Sequence, residues 1–101
     1  TSVEELITNV NFKTDEVIRI ASCGIVGDVY KHYFRKKLDI NYKFVSSSEA
    51  DYIIMTNRVV LDNQKNNELA KLTNCFDKFK GNDVFQVKRN NLLLSAIRKI
   101  N

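Results

Sequence analysis

Val17-Ile18-Arg19-Ile20-Ala21, running straight into Ser22-Cys23-Gly24, is the stretch from which the architecture can be worked out. Its β-branched residues read as a strand, and the Ser-Cys-Gly triplet as a tight turn out of it. Val26, Val29, Tyr30, Tyr33 and Phe34 then recur at helical spacing, which predicts a helix over 25–37. Arg35, Lys36 and Lys37 close it, where the helix dipole favours cations. Tyr42 to Val45 is a second strand. A strand, a helix and a strand at this spacing form a right-handed βαβ unit with parallel strands. After Ser46-Ser47-Ser48-Glu49, Tyr52 to Thr56 is an unbroken apolar run, the pattern of a strand buried on both faces.

Outward from this centre, Ser2-Val3-Glu4-Glu5 has the form of a capping box, with Ser2 as N-cap and Glu5 three positions on. Val3, Leu6, Ile7 and Val10 follow as the apolar stripe of a short helix. Residues 58–68 are polar and Asn-rich and read as a loop. Leu69, Leu72, Phe76 and Phe79 keep helical phase over about 67–80, stopped by Gly81. Asn90-Asn91 reads as a type I′ turn between two strands. A two-residue loop pairs Arg89 with Leu92, Val87 with Leu94 and Phe85 with Ala96, which turns Phe85, Val87, Leu92, Leu94 and Ala96 inward.

The expected fold is therefore α/β: a two- or three-layer sandwich with a mixed sheet of about five strands and three helices. Strand 1 lies between strands 2 and 3, and the C-terminal hairpin extends the sheet beside strand 3. The 25–37 helix covers one face, and the N-terminal and 67–80 helices cover the other.

At 101 residues the chain is one domain, residues 1–101. An apolar fraction of 44% with 28% charged residues argues against wholesale disorder. No apolar run approaches the roughly 18 residues of a membrane span. The net charge is +4, and Lys88, Arg89, Arg98 and Lys99 concentrate it at the C-terminal hairpin. Such an end can face nucleic acid or anionic lipid, or simply protect an edge strand from aggregation; the second reading is favoured. Val84 to Arg89 supplies a single aromatic, Phe85, against the aromatic-rich strand of an RRM, so nucleic acid is not favoured as a partner.

Two cysteines 52 positions apart and one histidine, His32, do not make up a zinc set, and no metal or other cofactor is expected. Cys23 and Cys75 are either one disulfide or two buried thiols acting as small apolar residues. No catalytic set assembles. His32 falls off the apolar stripe of its helix, and Asp28, Asp51 and Asp77 show no acid/base spacing. A small hydrolase or redox protein built on Cys23 and His32 is a minor reading. A candidate binding ledge lies where strands 1 and 3 end, at Ser22, Cys23, Gly24, Asn57 and Arg58, because open α/β sheets gather ligands outside the carboxyl ends of parallel strands. A helix N-terminus, a side-chain amide and a guanidinium would meet there. Equally, Asn57 and Arg58 would only end the strand and pair with a nearby carboxylate.

Several stretches also read together. Thr1-Ser2-Val3-Glu4-Glu5-Leu6 resembles the "S-x-K-E-x-x-x-W-L" helix that opens a C-terminal soluble segment of bacterial membrane glycosyltransferases, the dolichyl-phosphate-mannose protein mannosyltransferase-like enzymes of the GT-C class. Glu49-Ala50-Asp51-Tyr52-Ile53-Ile54-Met55-Thr56-Asn57-Arg58 is similar to its "A-D-Y-I-I-x-x-N-R" stretch. Cys75-Phe76-Asp77-Lys78-Phe79-Lys80-Gly81, Val87-Lys88-Arg89-Asn90 and Leu94-Ser95-Ala96-Ile97-Arg98-Lys99 resemble its terminal "C-F-x-x-F-x-G … V-x-R-x-x-x-x-L-S-x-I-R-K". Residues 59–74 have no counterpart. The resemblance implies a periplasmic, mannosyltransferase-like piece from the C-terminus of a polytopic membrane protein, with the transmembrane region as its first partner and a glycan or protein acceptor as a further one. The sugar-transferring acids of such enzymes lie in loops among transmembrane helices, so no catalytic residue carries over and the isolated domain is expected to be inactive. The competing expectation is a stand-alone cytoplasmic interaction or nucleic-acid-binding domain that uses the basic hairpin. An initiator Met just ahead of Thr1 would favour it; long apolar segments there would favour the membrane enzyme.

Overall fold

The computed structural model describes residues 2–12, 14–25, 29–37, 40–56 and 75–100. In chain order its elements are α1 (Ser2–Asn9), β1 (Ile18–Cys23), α2 (Val29–Arg35), β2 (Tyr42–Phe44), β3 (Tyr52–Thr56), α3 (Cys75–Lys78), β4 (Asn82–Arg89) and β5 (Leu92–Lys99). The expected loop at 58–68, Val26 and the first part of the expected 67–80 helix lie outside the described residues.

The sheet has the expected five strands in the order β2-β1-β3-β5-β4. β1 runs parallel to β2 and to β3, and β5 runs antiparallel to β3 and β4. β3 is central, and all five of its residues are buried. That burial follows from its composition: Tyr52 and Ile54 face one layer, and Ile53 and Met55 face the other. β1 repeats the division, with Ile18 and Ile20 on the first side and Ala21 and Cys23 on the second.

The helices are distributed differently from the expectation. α1 packs on the same face as α2: Leu6, Ile7 and Val10 join Tyr30 and Phe34 in one apolar cluster with Ile20, Ile54, Val87 and Ile97. Lys37 Nζ, just past α2, donates to the Thr8 carbonyl near the end of α1 at 3.4 Å. The reason is width. Five strands about 4.8 Å apart span roughly 19 Å, twice the approximately 10 Å diameter of a helix. α2 covers the β1–β2 half, where Tyr30 meets Phe44 edge to face and Phe34 packs at an angle on Tyr42 and Phe44, and α1 covers the β4–β5 half. Among the described residues, α3 alone of the helices lies on the opposite face, where Cys75 is buried with Ala21, Ala50, Ile53 and Met55. The capping box also fails to close through Glu5, whose carboxylate instead accepts from Arg89 of β4 at 2.9 Å.

The hairpin turns as expected through Asn90 and Asn91, with φ of 52° and 67°. Its pairing begins as expected, Arg89 with Leu92 and Lys88 with Leu93, and then slips. Leu94 is extra on β5, so Val87 pairs with Ser95 and Phe85 with Ile97; Val84 is then extra on β4, so Asp83 pairs with Arg98. Each slip exchanges the two faces. Ser95 and Ile97 therefore face the α1 layer, Ala96 turns to the opposite layer beside Met55, and Leu92 is 56% exposed rather than inward.

Candidate functional site

The carboxyl ends of β1 and β3 lie side by side, with Cys23 next to Met55. Cys23 is joined to Cys75 by a disulfide, which ties the end of β1 to α3. Gly24 follows with φ +77°, a conformation L side chains seldom adopt. A β-carbon there would also sit 3.2 Å from Cys75 Sγ and from Thr56 Oγ1. The buried Thr56 hydroxyl donates to the Gly24 carbonyl at 2.8 Å. Ser22 is half-buried on the same strand end. Of the five ledge residues, Ser22, Cys23 and Gly24 are neighbours in sequence at the end of β1, and Cys23 and Gly24 are engaged in holding the two strands and α3 to one another. Asn57 and Arg58 lie outside the described residues. With its sulfur bonded to Cys75, Cys23 offers no thiol for a Cys-His pair; His32 is exposed and rests edge-on against Tyr33 at 5.8 Å.

The basic hairpin is partly neutralised. Arg89 pairs with Glu5 at 2.9 Å, and Arg98 pairs with Asp83 across the strands at 2.6 Å. Arg98 does more than pair: its Nη1 donates to the Phe76 carbonyl at 2.9 Å and to the Phe79 carbonyl at 2.5 Å. One guanidinium thus satisfies one carbonyl of α3, one just past it and a carboxylate on β4. Burial pushes the Asp83 carboxyl upward, but hydrogen bonds from Arg98 and Gln86 and the Arg98 charge outweigh it and hold the group below the usual Asp range.

At the other end of the sheet a cleft of about 450 Å³ opens where β1 and β3 begin. Phe12, Thr14, Glu16, Val17, Ile18, Asp51, Tyr52 and Lys99 line it. The backbone around it is well fixed. The Asp51 amide donates to the Arg19 carbonyl at 2.9 Å, the Ile100 amide donates to the Asp51 carbonyl at 2.9 Å, and Tyr52 pairs with Lys99. The Glu16 amide donates to the Thr14 hydroxyl at 3.1 Å, closing the loop ahead of β1. The Phe12 and Tyr52 rings meet edge to face at 5.0 Å. Sequence reasoning missed this cleft because it looked to the carboxyl ends of the strands. The signal was present in Glu16 and Asp51, acids just ahead of two strands that pair in parallel.

Among the described residues no group of His, Cys, Asp and Glu is placed to hold a metal ion, and no helix is long and apolar enough to cross a membrane. Comparison of the chain with protein-family models, curated proteins and solved structures finds no match.

Proposed function

We propose that this chain is a non-catalytic, extracytoplasmic domain of a polyprenyl-phosphate-sugar-dependent membrane glycosyltransferase, held at the periplasmic face of a bacterial inner membrane. The observation that carries this reading is the Cys23–Cys75 disulfide at the meeting point of β1 and α3. Such bonds persist in oxidising compartments and are rare in reducing ones. The stretches that resemble the glycosyltransferase segment also come together in space. Cys75, Phe76, Phe79 and Gly81 meet Arg98 and Lys99 through the disulfide-anchored helix, the guanidinium bonds and the close approach of Gly81 to the Lys99 carbonyl. Residues so interlocked explain why the stretches would travel as a set, in a domain whose part in the enzyme is acceptor or partner recognition.

Reporter fusions after residue 101 of the full-length gene product test the reading. Alkaline phosphatase fused there is expected to be active and β-galactosidase inactive; the reverse pattern refutes it. Purified residues 1–101 are expected to transfer no sugar from a polyprenyl-phosphate donor, and turnover by this piece alone would equally overturn it.

A further inference from the structure

The cleft at the amino ends of β1 and β3 concentrates polar groups that the fold itself does not use. The Glu16 and Asp51 carboxylates and the Lys99 ammonium form no ion pair with the described residues, in contrast to Glu5 with Arg89 and Asp83 with Arg98. Tyr52 is 92% buried, at 8% exposure, yet its hydroxyl makes no hydrogen bond with the described residues. No fully buried side-chain polar atom lacks a partner. The Tyr52 hydroxyl therefore reaches open space, and the space that Tyr52 lines is this cleft.

We infer that the cleft binds an organic cation, an alkylguanidinium or alkylammonium head on an apolar stem. Charge excludes the opposite choice: two carboxylates against one ammonium leave the cleft at −1 in a chain of net charge +4. Hydrogen-bonding capacity points the same way. Carboxylates only accept, a phenol oxygen can accept, and a guanidinium offers five donors in a planar fork that matches carboxylates. The stem has a place to lie, since Val17 is 57% exposed at the rim beside Ile18 and the edge of Phe12. At about 450 Å³ the space falls within the approximately 300–1,000 Å³ of small-molecule sites. The strand hydrogen bonds that fix Asp51 and Tyr52 hold the acceptors in place before binding. The inference is independent of the compartment in which the domain resides.

Titration of the ¹⁵N-labelled chain with n-butylguanidinium and, separately, with N-acetyl-arginine amide tests it. Amide shifts confined to residues 14–18, 51–52 and 99 are expected with at least one probe. A response to the first alone identifies a free small cation, and a response to the second identifies an arginine side chain carried on a peptide. n-Butanol, the neutral counterpart, is expected to leave those amides unmoved. The E16Q/D51N variant should bind about tenfold more weakly, the sum of two partly exposed ion pairs. Lys99→Gln, which removes the repelling charge from an exposed position, should bind more tightly. Silence toward both cations, equal shifts with butanol, or affinities that do not move in opposite directions in E16Q/D51N and Lys99→Gln would overturn the inference.

Discussion

Breaking the Cys23–Cys75 bond is the perturbation whose consequence the structure fixes most closely. The bond spans 52 residues of sequence, a loop that contains α2, β2 and β3. In the chain-entropy account, closing a loop of that length removes about 14 cal/mol/K from the unfolded ensemble, or about 4 kcal/mol at 25 °C. A small domain holds only about 5–15 kcal/mol in total, so this one bond contributes a large part of it. Alanine at both positions avoids placing a hydroxyl at Cys75, which is fully buried. The assay is urea unfolding of the parent chain and of C23A/C75A, followed by far-UV circular dichroism. At a slope of about 1.5 kcal/mol per M, the midpoint should fall by roughly 2–3 M, and the slope should rise as the unlinked unfolded chain exposes more surface. Reduction of the parent should give a similar fall. A variant midpoint within about 0.3 M of the parent would show that the link contributes little, and that α3 is held by its apolar contacts and by Arg98 alone.

Three further outcomes follow from the β4–β5–α3 corner. Arg98→Met removes the ion-pair partner of Asp83, leaving it only the Gln86 hydrogen bond, and the donor to the Phe76 and Phe79 carbonyls, so unfolding should become easier by about 2–3 kcal/mol; a loss under about 0.5 kcal/mol, the scale of an exposed pair, would refute the bridging role. Because the Asp83 pKa is lowered in the fold, its contribution is present above the unfolded Asp pKa and is lost as pH falls through the folded value. Urea midpoints should therefore drop below about pH 4, and Asp83→Asn should be less stable than the parent at pH 7 with the gap closing in acid; a gap that stays constant with pH refutes this. Gly81→Ala would drive a β-carbon into the Lys99 carbonyl oxygen at φ +155°, and should lower stability by more than about 1 kcal/mol in the same assay.

The parts of the fold legible in the sequence are those where one force dominates. Ile18–Cys23 and Tyr52–Thr56 announce themselves by β-branched and apolar runs, and the right-handed crossover then places β1 between β2 and β3. The hairpin register was not legible beyond its first two pairs, because β5 must bury residues on both faces once it pairs with β3. Ile97 lies beside Ile54 on one side, and Ala96 lies beside Met55 on the other. An alternation rule written for a one-faced hairpin has no way to place the bulges at Leu94 and Val84 that reconcile this with β4. The side taken by α1 was recoverable in principle, since a single helix about 10 Å across is too narrow to cover five strands. The fate of the cysteines was not, because a 52-residue separation is compatible with bonded and free states until α3 is placed beside β1.

The stretches that resemble a glycosyltransferase segment fall mostly on framework residues. Cys75 makes the disulfide, Arg98 closes α3, Gly81 admits the Lys99 carbonyl, and Ser95 donates to the Ser2 carbonyl at 3.3 Å. Such residues hold α3, the hairpin and the start of α1 to one another. The polar groups left unused by the fold collect instead at the opposite end of β1 and β3, where Asp51, Tyr52 and Lys99 belong to those stretches while Thr14, Glu16 and Val17 do not. Such a division is expected when rigid strands position a site and the loop beside it tunes what enters. Exchange of residues 14–17 should therefore alter ligand preference while leaving the disulfide-linked corner, and the stability it confers, unchanged.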